Sequence, residues 1–550
     1  MSIGIGESAV SSGEKSQDYG LVDESVSVDL FYKNTDRRRT GTFYVTFFLI
    51  SFICLFMQAA IEFSYNNIIS SIFAFTGANT SMYYTIFKNN ISKTPISSMS
   101  ILGLGVTTSA FPLVSQTVLF TPTSYNLNYP LETFGVGTIT VILAVGIHFL
   151  YKKIILFNVL KNIIRNNILK PLGIFRRLSW LDLIAAGFFG ILCTIYTTGY
   201  SDDTAIQTGD ALGKFLQAFK PFAGAPVIGL FPSIYGGRRK IPNWAIASYL
   251  IIMLFVAALA NGRGIIVTLL TNVILIFVIQ YFSGRWKSTK NNIFLLMFVL
   301  FFSVVLLPVI SRVSDAIVAV RTERAKLSQI ELLNATVAEV INPRPVFDKF
   351  NNLGGYSETY SSSKFINRFV SVKFTDNVIS SSKQLDSSKS NQVRIDFQKR
   401  VLSSFPQPIL DVLKLDAGKN DRPFSSGDIY AFLSGKYPEL GAFLTGSSLG
   451  DCLFLFGIFF PIAYGAVILG LFILKDTWAI PRRYGDEMPV ISVCGLLVIT
   501  RVFMAGLETD SYSGLILEIL RGYIQTTLCA AVIFFLARNV VNLLGLGRLR

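Results

Sequence analysis

The residues best suited to chemistry in this chain are arginines set in apolar surroundings. Asn261-Gly262-Arg263-Gly264 lies between two apolar runs, and its glycines let the backbone turn sharply and fix the guanidinium in one place. A guanidinium so fixed can hold two oxygens of a phosphate at once, which an ammonium does not. The same residues also fit an arginine that snorkels to lipid headgroups at a tight helical hairpin. Arg321 and Arg324 stand one helical turn apart beyond the next apolar run, near Arg312, Asp315 and Glu323. They can share one anion, or pair with Glu323 on a solvated face. Farther on, Asn367-Arg368 and Asp376-Asn377 flank Val370, Val372 and Phe374, which makes Arg368 a second cationic candidate and Asp376 a candidate base. Asp202-Asp203 could bind a divalent cation or be solvated. The only histidine, His148, falls in an apolar run away from these residues and reads as packed or interfacial. Histidine base catalysis is therefore not available beside them.

The elements that position these residues follow from composition. Of 550 residues, 51% are hydrophobic and 15% charged, against about a quarter charged in soluble proteins. Mean hydropathy is +0.52. These values describe an integral membrane protein and exclude soluble enzymes. The net charge of +15 is gathered in short loops, as the positive-inside rule requires of cytoplasmic ones. Lys152, Lys153, Lys161, Arg165, Lys170, Arg176 and Arg177 form one block, Arg238, Arg239 and Lys240 a second, Arg285, Lys287 and Lys290 a third, and Arg538, Arg548 and Arg550 a fourth. Apolar spans separate the blocks, which speaks against nucleic-acid binding. The five cysteines lie in or beside apolar stretches without metal or disulfide spacing.

Apolar runs long enough to span occur at 42–61, 132–151, 181–200, 244–261, 264–282, 293–311, 451–474, 488–506 and 523–540. Charge parity demands one more crossing at 215–236, where Pro221, Pro226 and Pro232 predict a broken helix packed against protein. The segments 66–87 and 97–120, rich in Ser, Thr and Asn, cross together or not at all. The expectation is thus an all-α polytopic bundle of ten to twelve helices. A polar tail (1–41) would precede a first bundle (42–311), a large extracytoplasmic loop (312–450) and C-terminal helices (451–550), with both termini cytoplasmic. Within the loop, 316–342 has helical periodicity and 357–390, rich in serine, reads as irregular.

Asn-Gly-Arg-Gly (261–264) opening a helix, Ser-Lys-Phe-Ile-Asn-Arg-Phe (363–369) in a long outer loop, and Leu444-Thr-Gly-Ser-Ser-Leu-Gly-Asp451 leading into Phe454-Leu-Phe-Gly457-Ile resemble the Wzy-type polysaccharide repeat-unit polymerases. The resemblance covers about 240–475. It implies a GT-C-like membrane glycosyltransferase of the bacterial cytoplasmic membrane that joins undecaprenyl-diphosphate-linked oligosaccharides at the outer face. A chain-length regulator and a flippase of the same pathway would be its partners. The diphosphate would be held by Arg263 and Arg368, with Arg312, Arg321 and Arg324 as further candidates. A distinctive acidic motif is absent, so the base is sought among Asp376 and Asp451, with Asp428 and Glu439 open. No metal or nucleotide cofactor is expected, since the loop has no histidine or cysteine and no Gly-rich phosphate loop occurs. The competing functions are a lipid-oligosaccharide flippase or other transporter, an O-antigen-type ligase, whose family expects a loop histidine missing here, and a nonenzymatic scaffold.

Overall fold

The computed structural model describes residues 21–198, 215–237, 239–259, 263–283, 316, 329–342, 356–361, 367, 369–405, 407–418, 424–438, 440–441, 444–480, 490–508 and 511–545. Among them the chain is helical, and its one extended pairing is the bridge between Ala479 and Ile491. The first part holds α1 (Leu21–Ile61), α2 (Tyr65–Met82), α3 (Pro95–Val118), α4 (Pro130–Lys153), α5 (Trp180–Thr198), α6 (Asn243–Leu259) and α7 (Arg263–Phe282). A polar segment follows with α8 (Gln329–Ile341), α9 (Val372–Ser382), α10 (Ser387–Leu402) and α11 (Ser426–Leu433). Then come α12 (Ser448–Trp478) and α13 (Tyr512–Leu543). Six of these helices are long and apolar enough to cross a membrane, as the composition requires.

α1 and α3 show the two kinds of helix from which the bundle is made. α1 leaves Leu49, Phe52, Ile53 and Phe56 exposed, and only 17% of its apolar window is buried. For α3 the figure is 89%, and its interior residues include Ser97, Ser98, Ser100, Thr107, Thr108 and Ser109. The hydroxyls are satisfied locally: Thr107 donates to the Gly103 carbonyl at 2.9 Å and Thr108 to that of Leu104 at 2.7 Å. A helix of this composition is stable where its neighbours are other helices, which accounts for the polar character of 66–87 and 97–120. Both segments are helical.

Small residues let those neighbours come close. A Cβ on Gly103 would fall 1.9 Å from the Phe503 carbonyl oxygen, and one on Gly77 2.5 Å from the Ser109 hydroxyl.

The bundle has two distinct ends. α4 begins where α9 packs against it and finishes at Lys152 and Lys153; α5 starts at the basic end and runs back. As expected, 215–236 is broken into one-turn pieces, Lys220–Gly224, Ala225–Ile228 and Pro232–Tyr235, each with a proline in its first turn. The Tyr249 hydroxyl donates to the Ala223 carbonyl at 2.7 Å, supplying a partner that a regular helix would provide.

Two expectations need correction, and one expected span carries a break. The segment 488–506 is not one span but two short helices, Val493–Leu497, wholly buried, and Ile499–Met504, which buries Ile499, Thr500 and Val502 and exposes Arg501. Asn272 on α7 anchors the break, its side-chain oxygen accepting from the Thr500 amide at 3.2 Å and the Thr500 hydroxyl at 2.6 Å. α12 breaks at Gly457, whose φ of +54° admits a turn before Pro461 restarts the helix. Within 357–390 the chain forms α9, because Val372, Val378 and Ile379 are buried between the bundle and α11.

Gly103→Ala should cost about 1–3 kcal/mol, because the obstructing atom is backbone and cannot rotate away. A lowered melting temperature of detergent-purified protein would register it. Gly146→Ala, with nothing within 4 Å of the added carbon, should leave that temperature unchanged.

Candidate functional site

The most heavily bonded tie between the polar segment and the bundle is a carboxylate. Asp376, fully buried on α9, accepts from the Asn128 amide at 2.8 Å, the Tyr129 amide at 2.7 Å, the Asn128 side chain at 3.3 Å and the Lys373 ammonium at 3.0 Å. Asn128 and Tyr129 immediately precede Pro130, so this residue fixes α9 to the start of α4. A second tie is Tyr360, whose hydroxyl donates to the Thr123 carbonyl at 2.6 Å while its own carbonyl accepts from Gln116 at 3.0 Å. Asn367 closes the turn around it, its side chain accepting from the Tyr360 amide at 3.1 Å and the Ser361 amide at 2.7 Å.

Behind these ties lies the other predicted carboxylate. Ser447 caps α12 by accepting from the Gly450 amide, which brings Asp451 into the first turn, buried. Its Oδ2 accepts from the Tyr512 amide, the first residue of α13, at 3.0 Å. Tyr430 of α11 stands beside it; burial, and then the Asp451 charge, hold this phenol well above its ordinary value, so it stays a hydrogen-bond donor. Arg400 on α10 also interacts with Asp451 electrostatically. Its Nε donates to Asp396 at 2.5 Å, and its Nη2 to the Phe424 carbonyl.

Arg400, Asp396, Tyr430, Asp451, Ser426 and Ser513 line a cleft between the polar segment and the bundle. Its open space is about 10 Å³, room for one water. A sugar can therefore reach Asp451 only if α10 or α11 moves away from α12.

Sequence reasoning singled out Asp451 but missed Arg400, Asp396 and Tyr430, which share no spacing with it and meet it only through the fold. It also missed Glu508. This buried carboxyl accepts from the Thr375 hydroxyl at 3.0 Å, and Thr375 in turn lies 2.8 Å from Ser447. Burial raises it from 4.5 to about 7, opposed by the Ser371 and Thr375 hydroxyls. Asp428 has a capping role, forming a box with Ser425 and accepting from the Leu444 amide at 2.9 Å.

Arg263 is the first residue of α7, at the end of the bundle where the polar segment lies. Arg312, Arg321, Arg324, Arg368, Glu439, Asp202 and Asp203 fall outside the described residues. His148 is buried toward the basic end, as its place in the sequence suggested, with Nδ1 2.8 Å from the Tyr84 hydroxyl and Nε2 2.8 Å from that of Ser97. Ser97 and Tyr151 both donate to Asp476, at 2.8 and 2.9 Å, in a buried network that periodicity gave no reason to expect. All five cysteines are buried and free, and no group of three or more metal-ligating side chains occurs among the described residues. No protein-family model, curated protein or solved structure matches the chain.

Two measurements probe this arrangement. Asp376→Ala should cost about 3–5 kcal/mol, because it leaves the Lys373 ammonium buried and unpaired; adding Lys373→Met should recover part of the loss in thermal unfolding. Glu508 binds its proton more tightly in the folded chain, so its contribution is complete below pH 4.5 and disappears as pH rises through about 7. The melting temperature should fall across that window in the wild type, and Glu508→Gln should flatten the fall.

Proposed function

We propose that the chain is a membrane glycosyltransferase that polymerises lipid-diphosphate-linked oligosaccharide units, working at the end of the bundle covered by the polar segment. The observation that carries this reading is the cleft of Asp451, Arg400 and Tyr430, a buried carboxylate with a fixed cation and a phenol, lying where soluble and apolar parts of the chain meet. In this reading Asp451 accepts the proton of the attacking sugar hydroxyl as C1 of the donor sugar loses its diphosphate. Arg263, with Arg368 and the group Arg312, Arg321 and Arg324, stabilises the charge that develops on the leaving group. Asp376 serves as the tie that holds α9 in place.

The proposed membrane path has twelve crossings, counting α2, α3, the broken segments 215–236 and 493–504, and the apolar run 293–311. The basic end, with Lys152, Lys153, Arg176, Arg177, Arg239 and Arg538, is then cytoplasmic, and the membrane is the bacterial cytoplasmic one. A transporter is the second reading. The two broken segments favour it, since Leu497 packs against Gly224 in the interior and interrupted helices are common at transport sites.

Purified protein supplied with lipid-diphosphate-linked repeat units should give a ladder of polymers. Asp451→Asn should reduce the rate by at least about a hundredfold. Arg263→Lys should fold yet lose much of its activity, because a point charge replaces a fork. Wild-type ladders from both Asp451→Asn and Arg263→Ala would refute the polymerase reading, and movement of intact lipid-linked units without lengthening would favour the transporter.

A further inference from the structure

At the end of the bundle opposite the Asp451 cleft, three separate stretches of chain build a cationic cavity. It measures about 350 Å³ and is lined by Arg176, Arg177, Arg239 and Arg538, with Trp180 and Asp182. This volume falls in the range of small-molecule sites.

The local folding that creates it is specific. Gly173, at φ +76°, ends the turn after Arg165–Lys170 and accepts from the Arg176 amide at 3.0 Å; a Cβ there would collide with the Arg176 side chain at 2.8 Å. The chain then enters α5 through a reciprocal cap in which the Ser179 amide donates to Asp182 at 2.9 Å and the Asp182 amide to the Ser179 hydroxyl at 3.2 Å. The cap places Asp182 at the cavity wall, where four guanidiniums and this one carboxylate share the lining. Tyr235, buried behind the site, has a hydroxyl without a hydrogen-bond partner among the described residues and interacts electrostatically with Asp182.

We propose that this cavity binds the phosphate of an anionic phospholipid headgroup. Converging arginines at the end of a helical bundle suit a phosphodiester, which accepts hydrogen bonds from more than one guanidinium. Trp180, half-buried at the first turn of α5, with the buried Leu178 that also borders the cavity, gives the site an apolar side on which acyl chains lie, as interfacial aromatics do. A free phosphate would share the arginines but draw nothing from that wall. The site is independent of the polymerase reading.

Delipidated protein in detergent is titrated with phosphatidylglycerol and with phosphatidylcholine, bound lipid being counted by native mass spectrometry. Wild type should prefer phosphatidylglycerol. The combined variant Arg176→Gln, Arg239→Gln, Arg538→Gln should bind it at least about tenfold more weakly, as expected from losing charge-assisted hydrogen bonds. Arg239→Gln alone, on an exposed loop, should lose less in the same direction. Arg394→Gln, exposed on α10, should behave as wild type. Equal phosphatidylglycerol binding by wild type and the combined variant, with unchanged melting in phosphatidylcholine nanodiscs, overturns the site. Displacement of the lipid by inorganic phosphate at equal concentration overturns the lipid assignment in favour of a soluble anion.

Discussion

In hydrocarbon no water is present to take up a stray hydrogen-bonding group, so every amide, carbonyl and hydroxyl of the bundle must find its partner within the protein. The rest of the architecture depends on how α3 meets this demand. Its serines and threonines turn back to carbonyls one turn earlier, while Gly103 and its neighbours bring adjacent backbones into contact, so a polar helix occupies the middle of an apolar assembly. α2, α4 and the pair Val493–Leu497 and Ile499–Met504 are arranged around it. The irregular segments near 225 and 498 obey the same rule through side chains, Tyr249 in one case and Asn272 in the other.

The two ends of the bundle solve different electrostatic problems. At one end carboxylates predominate in the ties, with Asp376 collecting donors from two parts of the chain and Asp451 joining α12 to α13. That end is densely hydrogen-bonded where Asp376 sits and leaves only a narrow cleft where Asp451 sits. At the other end guanidiniums from distant parts of the sequence are brought together around α5. Their mutual repulsion is tolerable because the site is open to solvent and counterions.

Much of the fold was legible because hydropathy and prolines act locally. Pro221, Pro226 and Pro232 announced the broken segment, and charge assigned the separate blocks that hold Arg176, Arg239 and Arg538 to one side, though not to the one cavity they line. The break at Val498 was not legible, since 488–506 is as apolar as a lipid-facing span and its irregularity depends on Asn272, more than two hundred residues away. α9 was hidden by its serines, whose burial depends on what packs over them. The candidate site was half legible. Asp451 was chosen from a motif, whereas Arg400 and Tyr430 belong to helices whose placement beside it no local pattern encodes.

The polarity of α3 also bears on how the chain is made. A segment carrying so many hydroxyls gains little from entering lipid alone, and its mean hydropathy of 1.3 is the lowest of the six long helices. As synthesis proceeds from the amino terminus, α3 leaves the ribosome before α4, one of the helices that will enclose it. Its set of neighbours is complete only once α4 has followed, so the order of synthesis becomes a constraint on assembly. Slowing translation between residues 118 and 130 would lengthen the interval during which this helix has no complete set of neighbours.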